Sequence, residues 1–399
     1  MAGASYSIAN ASNQPFVGHG QALFLLSASS QYVDVSTSFL NLSSRSFTIE
    51  TWIYSNTPLS GDRGIFGQCQ CSTCTNQCLY LITRGTRLHI GFTSNDLTGT
   101  TDMSAGIWYH VAFVYNYQTK QQILYINGVQ DAIKSNAAAY QGVNGSIRIG
   151  ASQVYLNTAY FNGFIDNSKV TTRAKSADEM LTAGSLTFYY AFNSSDPTFD
   201  NGPNGLPGDM TSVSTVTGRV GEAIRLTGSG SYFRVYGVYN APFGVANART
   251  FSVSMWINPS TSSSSTFLQI HRNNLNEYFC TNLLGIYSYV GTGGQLFVWS
   301  NSNGPSRMTG PFITPNAWTH ISLTLTVSAG YTLYVNGNYI GSTGGGNYTT
   351  YSNFAYLFLG YYRSCIYASV NFAYQGAIDE FYYHNRELTQ ADVTALYNV

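Results

Sequence analysis

Charge is what this sequence has least of. Of 399 residues only 9% are Asp, Glu, Lys or Arg, against roughly 25% in an average soluble protein. Eighteen basic and eighteen acidic side chains cancel to zero net charge. A chain without a basic stripe has no electrostatic footprint for DNA, RNA or an anionic lipid surface, so no nucleic-acid partner is expected. Long apolar runs are missing too. None approaches the ~18 residues of a membrane-spanning helix, which argues against membrane insertion. The first residues, MAGASYSIANAS, lack the basic start and apolar segment of a signal peptide. Common catalytic and nucleotide-binding signatures are absent: G-x-S-x-G, H-E-x-x-H, the P-loop and G-x-G-x-x-G.

What remains is a polar, aromatic chain. Hydrophobic residues make up 44% and tyrosine alone contributes 32, more than a core needs. Ser, Thr, Asn, Gln and Tyr must therefore keep the surface wet, and Tyr is amphipathic enough for surfaces and interfaces. Sequons at Asn10, Asn41, Asn144, Asn193 and Asn347 are candidate N-glycosylation sites.

The chain repeats itself. Gly20 to Leu25 (GQALFL) returns as Gly221 to Leu226 (GEAIRL), and SFTIETWIY returns as TFSVSMWIN. WYHVAFVY, with Trp108 and His110, is answered by WTHISLTL, with Trp318 and His320. LYINGV is answered by LYVNGN, and the closing FNGFIDNSKVTTR by YQGAIDEFYYHNR, matching Asp166 to Asp379. Matches in one order at a nearly constant offset mean a duplicated domain, read as 1–184 and 185–399. The second copy opens with LTFYYAF, which has no evident partner in the first. The first copy's opening strand is therefore read as atypical or missing. ASYSIAN either closes its own sheet or inserts into a neighbour.

Locally the pattern is strand after strand. FTIETWIY, HVAFVY, QILYING and TLYVNG alternate with period two and are rich in β-branched and aromatic residues. Asn127-Gly128 and Asn336-Gly337 read as hairpin turns. The expected fold class is all-β: two antiparallel β-sandwich domains in tandem. These motifs, from SFTIETWIY to G-x-I-D, resemble those of laminin-G-like, concanavalin A-like jelly-roll domains, and the resemblance covers both copies. It implies two curved sheets per domain, usually an extracellular setting, and a role in binding glycans or proteins. Some members hold a structural calcium ion.

Four of the six cysteines fall in QCQCSTCTNQC. Zinc sites generally separate their ligands into two pairs, and here the pairs overlap. Disulfides in an oxidising space are the reading: Cys69–Cys78 with Cys71–Cys74 nested inside, the crossed pairing remaining open, and Cys280–Cys365 in the second copy. The protein is expected to be secreted, as a processed chain or a fragment of a longer one.

Glycoside hydrolases use two carboxylates facing one cleft. Glu50 stands alone, and Asp379 and Glu380 are adjacent, so on a regular strand they would face opposite ways. His110 and His320 read as half-buried structural histidines. No enzyme is expected. For binding, DPTFDNGPNG is oxygen-rich, and Asp200 and Asn204, completed by Asp379 as the resemblance implies, are a candidate calcium set. Trp299, Tyr287 and Tyr289 are the candidate ligand-binding aromatics. Trp299 has no equivalent tryptophan in the first copy, where the matched strand reads LHIGF. The function expected is a binding or adhesion module for a glycan or extracellular protein. The alternative is a structural subunit of a coat, matrix or filament that self-assembles by strand or surface pairing.

Overall fold

The computed structural model describes residues 5–6, 17, 21–35, 40–193, 195–228, 230–239, 250–271, 282–289, 294–300, 307–345, 354–360 and 372–399. They divide into two compact units, Met1–Ser185 and Leu186–Val399. Each is built from antiparallel sheets with a single large apolar core.

In the first unit a seven-stranded sheet runs in the order Ser5–Tyr6, Leu23–Leu25, Gly163–Thr171, Phe47–Ser55, Trp108–Asn116, Gln121–Ile126, Val129–Lys134. A six-stranded sheet runs Val33–Val35, Ile147–Ile149, Asp62–Cys69, Cys78–Arg84, Arg87–Gly91, Asp96–Thr98. Strand alternation explains which residues meet. Phe47, Ile49 and Ile53 enter the core, while Thr48, Glu50 and Trp52 project from the opposite face. That face is buried as well, because the helix Ala177–Ser185 lies on it and packs Met180 against Ala112, Val114 and Tyr125. Ser5 and Tyr6, the described residues of ASYSIAN, pair with Phe24 and Leu23 of the same sheet.

The second unit repeats this plan with one addition. Its larger sheet runs Val213–Thr217, Glu222–Thr227, Gln375–His384, Phe251–Pro259, Thr319–Thr326, Gly330–Val335, Asn338–Ser342. The strand Leu186–Tyr190, from LTFYYAF, pairs with Gln375–His384 alongside Glu222–Thr227. It sends Phe188 and Tyr190 into the core, where Phe188 meets Phe381 and Tyr383 with ring centroids 5.1 and 5.4 Å away. The smaller sheet runs Gly208–Thr211, Tyr232–Tyr239, Phe354–Leu359, Ser265–His271, Asn282–Tyr289, Gln295–Ser300, Arg307–Phe312.

Duplication extends to single hydrogen bonds. The Asn127 side chain accepts from the His110 amide at 3.0 Å, and Asn336 from the His320 amide at 2.9 Å. Both asparagines have φ of 50°, the left-handed conformation that a type I′ turn requires and asparagine tolerates. One expectation about faces is corrected here. Glu380 has φ of 51° and Asn167, at the matched position, 48°, and the strand register shifts beside both. A bulge therefore replaces the simple alternation expected of Asp379 and Glu380. Both histidines are also more enclosed than expected, His110 at 3% exposure and His320 at 1%.

Candidate functional site

The smaller sheet of the second unit carries one continuous cross-strand row. Asp209 pairs with Arg234, Arg234 with Phe358, Phe358 with Gln269, Gln269 with Gly285, Gly285 with Trp299 and Trp299 with Arg307. The residues between them, Val235, Leu268, Leu284, Leu296 and Val298 among others, fill the core. By alternation the row lies on the sheet's outer face. Burial falls along it: Phe358 and Gln269 are enclosed, Trp299 is half-buried and Arg307 is exposed.

Around Trp299 the next positions on the same face are Tyr287 and Phe297, directly paired across strands and both half-buried. The Tyr287 ring leans over Gly285, where a Cβ would lie 1.9 Å from its hydroxyl oxygen. That hydroxyl accepts from Gln269 Nε2 at 3.2 Å, and Gln269 Oε1 lies 2.9 Å from His271 Nε2. Aromatic faces thus stand beside an amide, a phenol and an imidazole. Gln269 and His271 are buried beneath this face and brace Tyr287, while the half-buried aromatic faces can stack on a ring. Arg234 is held by Asp209 in an ion pair and lies over the Tyr232 ring at 5.9 Å.

The first unit has the same two strands with the residue types exchanged. Tyr80 sits where the second unit has Gly285, and Gly91 where it has Trp299. The Tyr80 ring fills the space over Gly91, 2.2 Å from where a Cβ would be, and its hydroxyl donates to Asp96 at 2.9 Å. Tyr80 is fully buried. A hairpin, Ala151–Val154 with Asn157–Tyr160, lies over this face, and Ser152 Oγ donates to the carbonyls of Phe66 and Leu81. Gly64 admits it, since a Cβ there would lie 2.3 Å from the Ala159 carbonyl. This face of the first unit is therefore filled by its own residues.

Of the expected ligand-binding residues, Trp299 and Tyr287 come together, and Tyr289 continues the strand opposite Gln295. Gln269, Arg234 and Gly285 carry no signal in the sequence, because their convergence depends on register among strands far apart in the chain.

The candidate calcium set does not fit a cation. Asp200 Oδ1 accepts the amides of Tyr189 and Gly202, and its Oδ2 that of Leu206. Asp379 Oδ2 accepts from Arg219 and Val220, and its Oδ1 from Glu380. Asn204 turns its amide nitrogen to the carbonyls of Leu186 and Thr187. Amide hydrogens occupy the carboxylate oxygens that calcium would need. Burial pushes the Asp200 carboxyl upward and that of Asp379 to about 6. Asp166 repeats the arrangement in the first unit, accepting from Val17 and Asn167, and burial raises it too to about 6. Among the described residues, no group of three or more His, Cys, Asp or Glu side chains is placed to hold a metal ion.

Cys69 is bonded to Cys78 and Cys71 to Cys74, the nested arrangement. Cys280 and Cys365 lie outside the described residues, as do the sequons at Asn10 and Asn347. Asn41, Asn144 and Asn193 are exposed. The disulfides fit an extracellular protein. No helix among the described residues is long and apolar enough to cross a membrane.

One buried cluster gave no sequence signal. Glu50, 3% exposed, bonds Lys175 through Oε1, while its Oε2 lies 3.7 Å from His110 Nε2 and has no hydrogen-bond partner. Burial, with Lys169 and Lys175 adding, pulls the His110 imidazole down to about 3. The matched residues in the second unit are Ser254, 2.8 Å from His320 Nε2, and Leu388.

The profile of the concanavalin A-like lectin/glucanases superfamily matches residues 27–180 and 228–394. No curated protein matches the chain. Among solved structures, the chain is similar to domain 4 of AbnA, a GH43 extracellular arabinanase from Geobacillus stearothermophilus, in complex with arabinotriose. Identity is 24% over 53% of this chain and 98% of that one, with a TM-score of 0.40. It is also similar to the binding domain of Paraclostridial mosquitocidal protein 1 (20% identity, 54% of this chain, 52% of that one, TM-score 0.40). A third is the binding domain of botulinum neurotoxin DC in complex with SialylT (18% identity, 54% and 50%, TM-score 0.38). The chain spans about half the length of these two toxin domains.

Proposed function

Because the chain belongs to the concanavalin A-like lectin/glucanases superfamily in both of its units, we propose that it is a secreted, non-enzymatic recognition module. Its second unit would bind a glycan on the outer sheet face around Trp299. The observation that carries this reading is the exchange of aromatic and glycine between the units. Tyr80 is spent on filling its own sheet, whereas Trp299 stays half-buried on an otherwise matched strand. A sugar ring stacks on an indole face, and the half-buried Tyr287, braced from within by Gln269, lies on the same sheet face.

The placement of the acids argues against catalysis. On the strands of that sheet the only carboxylate among the described residues is Asp209, already paired with Arg234. A hydrolase needs two facing one cleft. Calcium takes no part in this reading. The alternative of a building subunit is less favoured, since Ser5 and Tyr6 pair within their own chain.

The test is binding of the folded chain to an array of immobilised oligosaccharides, run with and without EDTA. Binding to a defined sugar that survives the chelator supports the reading. Silence across the array would turn it toward a protein partner.

A further inference from the structure

Three neighbouring strands of the first unit's larger sheet end together at one rim. Thr171 lies opposite Thr48, and Phe47 opposite Tyr115, so the segments 172–174, 44–46 and 116–118 gather beside one another. They line an open cup of about 480 Å³. Its wall is fixed by its own hydrogen bonds. Ser46 Oγ donates to Gln118 Oε1 at 2.8 Å and accepts from the Tyr117 amide at 2.9 Å. Asn116 Oδ1 accepts the amides of Gln118 and Thr119, each at 3.1 Å. Thr48 Oγ1 donates to the Arg173 carbonyl and accepts from the Lys175 amide.

Two arginines line this cup, in different states. Arg173 is spent on Glu179, to which both of its terminal nitrogens donate, and Arg386 is held in the same way by Asp392 in the second unit. Arg45 is exposed, and among the described residues no carboxylate pairs with it. Tyr117, in the same lining, leaves 44% of its surface exposed. The second unit differs at the matched rim. Val327 replaces Tyr117, Ser328 replaces Gln118 and Glu387 replaces Ala174, and Val327 and Glu387 are both exposed. Arg249, which matches Arg45 in the sequence, lies outside the described residues. The first unit thus has an aromatic where the second has an aliphatic side chain, and alanine where the second has a carboxylate.

We propose that this cup binds an acidic sugar residue, with its carboxylate or sulfate ester on Arg45 and its ring against Tyr117. A guanidinium holds such an anion through parallel N–H donors in a fixed fork. Arg45 leaves one positive charge among the described lining residues, which matches a monoanion. The exposed Tyr117 ring supplies an apolar face for the sugar. Ser44, Thr172 and the Gln118 amide, whose nitrogen has no acceptor among the described residues, supply partners for ring hydroxyls. Among the described residues that line the cup, only Tyr117 and Ala174 are apolar, so it lacks the apolar pocket that would anchor a peptide side chain. The site lies wholly in the first unit and does not rest on the Trp299 reading, which concerns the other unit.

The test titrates the full chain with sialyllactose, sulfated lactose and plain lactose, read by ligand-observed saturation-transfer NMR. The expected result is binding of at least one acidic probe and silence from lactose. Arg45→Gln should weaken that binding at least about tenfold, as loss of a charge-assisted hydrogen bond does. Tyr117→Val and Ala174→Glu, which copy Val327 and Glu387, should weaken it as well. Trp299→Ala should bind the acidic probe as wild type does, which separates this site from the one in the second unit. Silence from both acidic probes with folded wild-type protein, equal binding of lactose, undiminished binding to folded Arg45→Gln, or loss of binding in Trp299→Ala would overturn the proposal. A glutamate-bearing peptide bound as tightly as the acidic sugars would overturn the choice of a sugar.

Discussion

Trp299 and Gly285 are cross-strand partners on the outer face of the second unit, and the matched pair in the first unit, Gly91 and Tyr80, holds the same arrangement of glycine and aromatic the other way round. An aromatic beside a glycine can either fold down over it or stand clear of the sheet. Tyr80 folds down, and its hydroxyl is satisfied by Asp96. In the second unit Tyr287 takes the covering role over Gly285, which leaves Trp299 standing at the edge of the enclosed region.

The two aromatics should therefore behave oppositely on truncation. Trp299→Ala should cost binding and destabilise the second unit by only about 1 kcal/mol, as truncation of a half-buried side chain does. Tyr80→Ala should leave glycan binding intact and destabilise the first unit by about 3–5 kcal/mol, as truncation of a large buried aromatic does. Chemical denaturation of each variant checks both.

Acid should destabilise the protein. Burial pulls His89 and His320 down to about 4, and His110 and His384 to about 3. The unfolded chain takes up those four protons below about pH 6.5 while the folded chain refuses them. Asp166 and Asp379, raised to about 6, and Asp200, raised as well, work in the opposite direction, because the folded chain protonates them before the unfolded chain does. Four uptakes outweigh three, so stability should fall as pH drops from 6.5 toward 4, on the order of 1–3 kcal/mol per pH unit at the steepest. His320→Gln should flatten the slope of stability against pH by about one proton.

The ion pair of Glu50 with Lys175 is a replaceable feature. Lys175→Leu alone strands a buried carboxylate and should cost about 3–5 kcal/mol. Adding Glu50→Ser recreates the pair found in the second unit, Ser254 and Leu388, and should recover most of that loss. Denaturant midpoints of the two variants decide it. Failure of the double variant to recover would mean that the cluster has a further role.

Calcium should leave thermal unfolding unchanged, because the Asp200 and Asp379 oxygens are taken by amides. Asp200→Ala should still destabilise the second unit, by about 1–3 kcal/mol for each amide left unsatisfied. A melting temperature that rises with calcium and falls with EDTA would contradict this account.

The parts of the structure legible in the sequence were those carried by short spacings. Alternation in FTIETWIY, the Asn127-Gly128 and Asn336-Gly337 turns, and the repeated motifs pointed to strands, hairpins and a duplicated sandwich. The rest depended on pairings between distant segments. Nothing local in IDNSK or IDEFY announces a left-handed residue at Asn167 or Glu380. Glu380 is held there by the hydroxyls of Tyr189 and Tyr382, one of which lies 191 residues away. The calcium expectation rested on a local pattern of the same kind. An Asp-Asn-Gly loop looks the same whether its oxygens face a cation or the amides of its own turn, and only the fold decides. Trp299 was legible as a residue private to one copy; its neighbours Gln269 and Arg234 were not, since register across seven strands placed them.

The central claim concerns Trp299, and oligosaccharide-array binding by wild type and Trp299→Ala, matched for unfolding midpoint, tests it most directly. The account predicts a defined glycan bound by wild type and lost, at least tenfold, in the variant. Equal binding by both proteins would contradict it and place recognition elsewhere on the molecule.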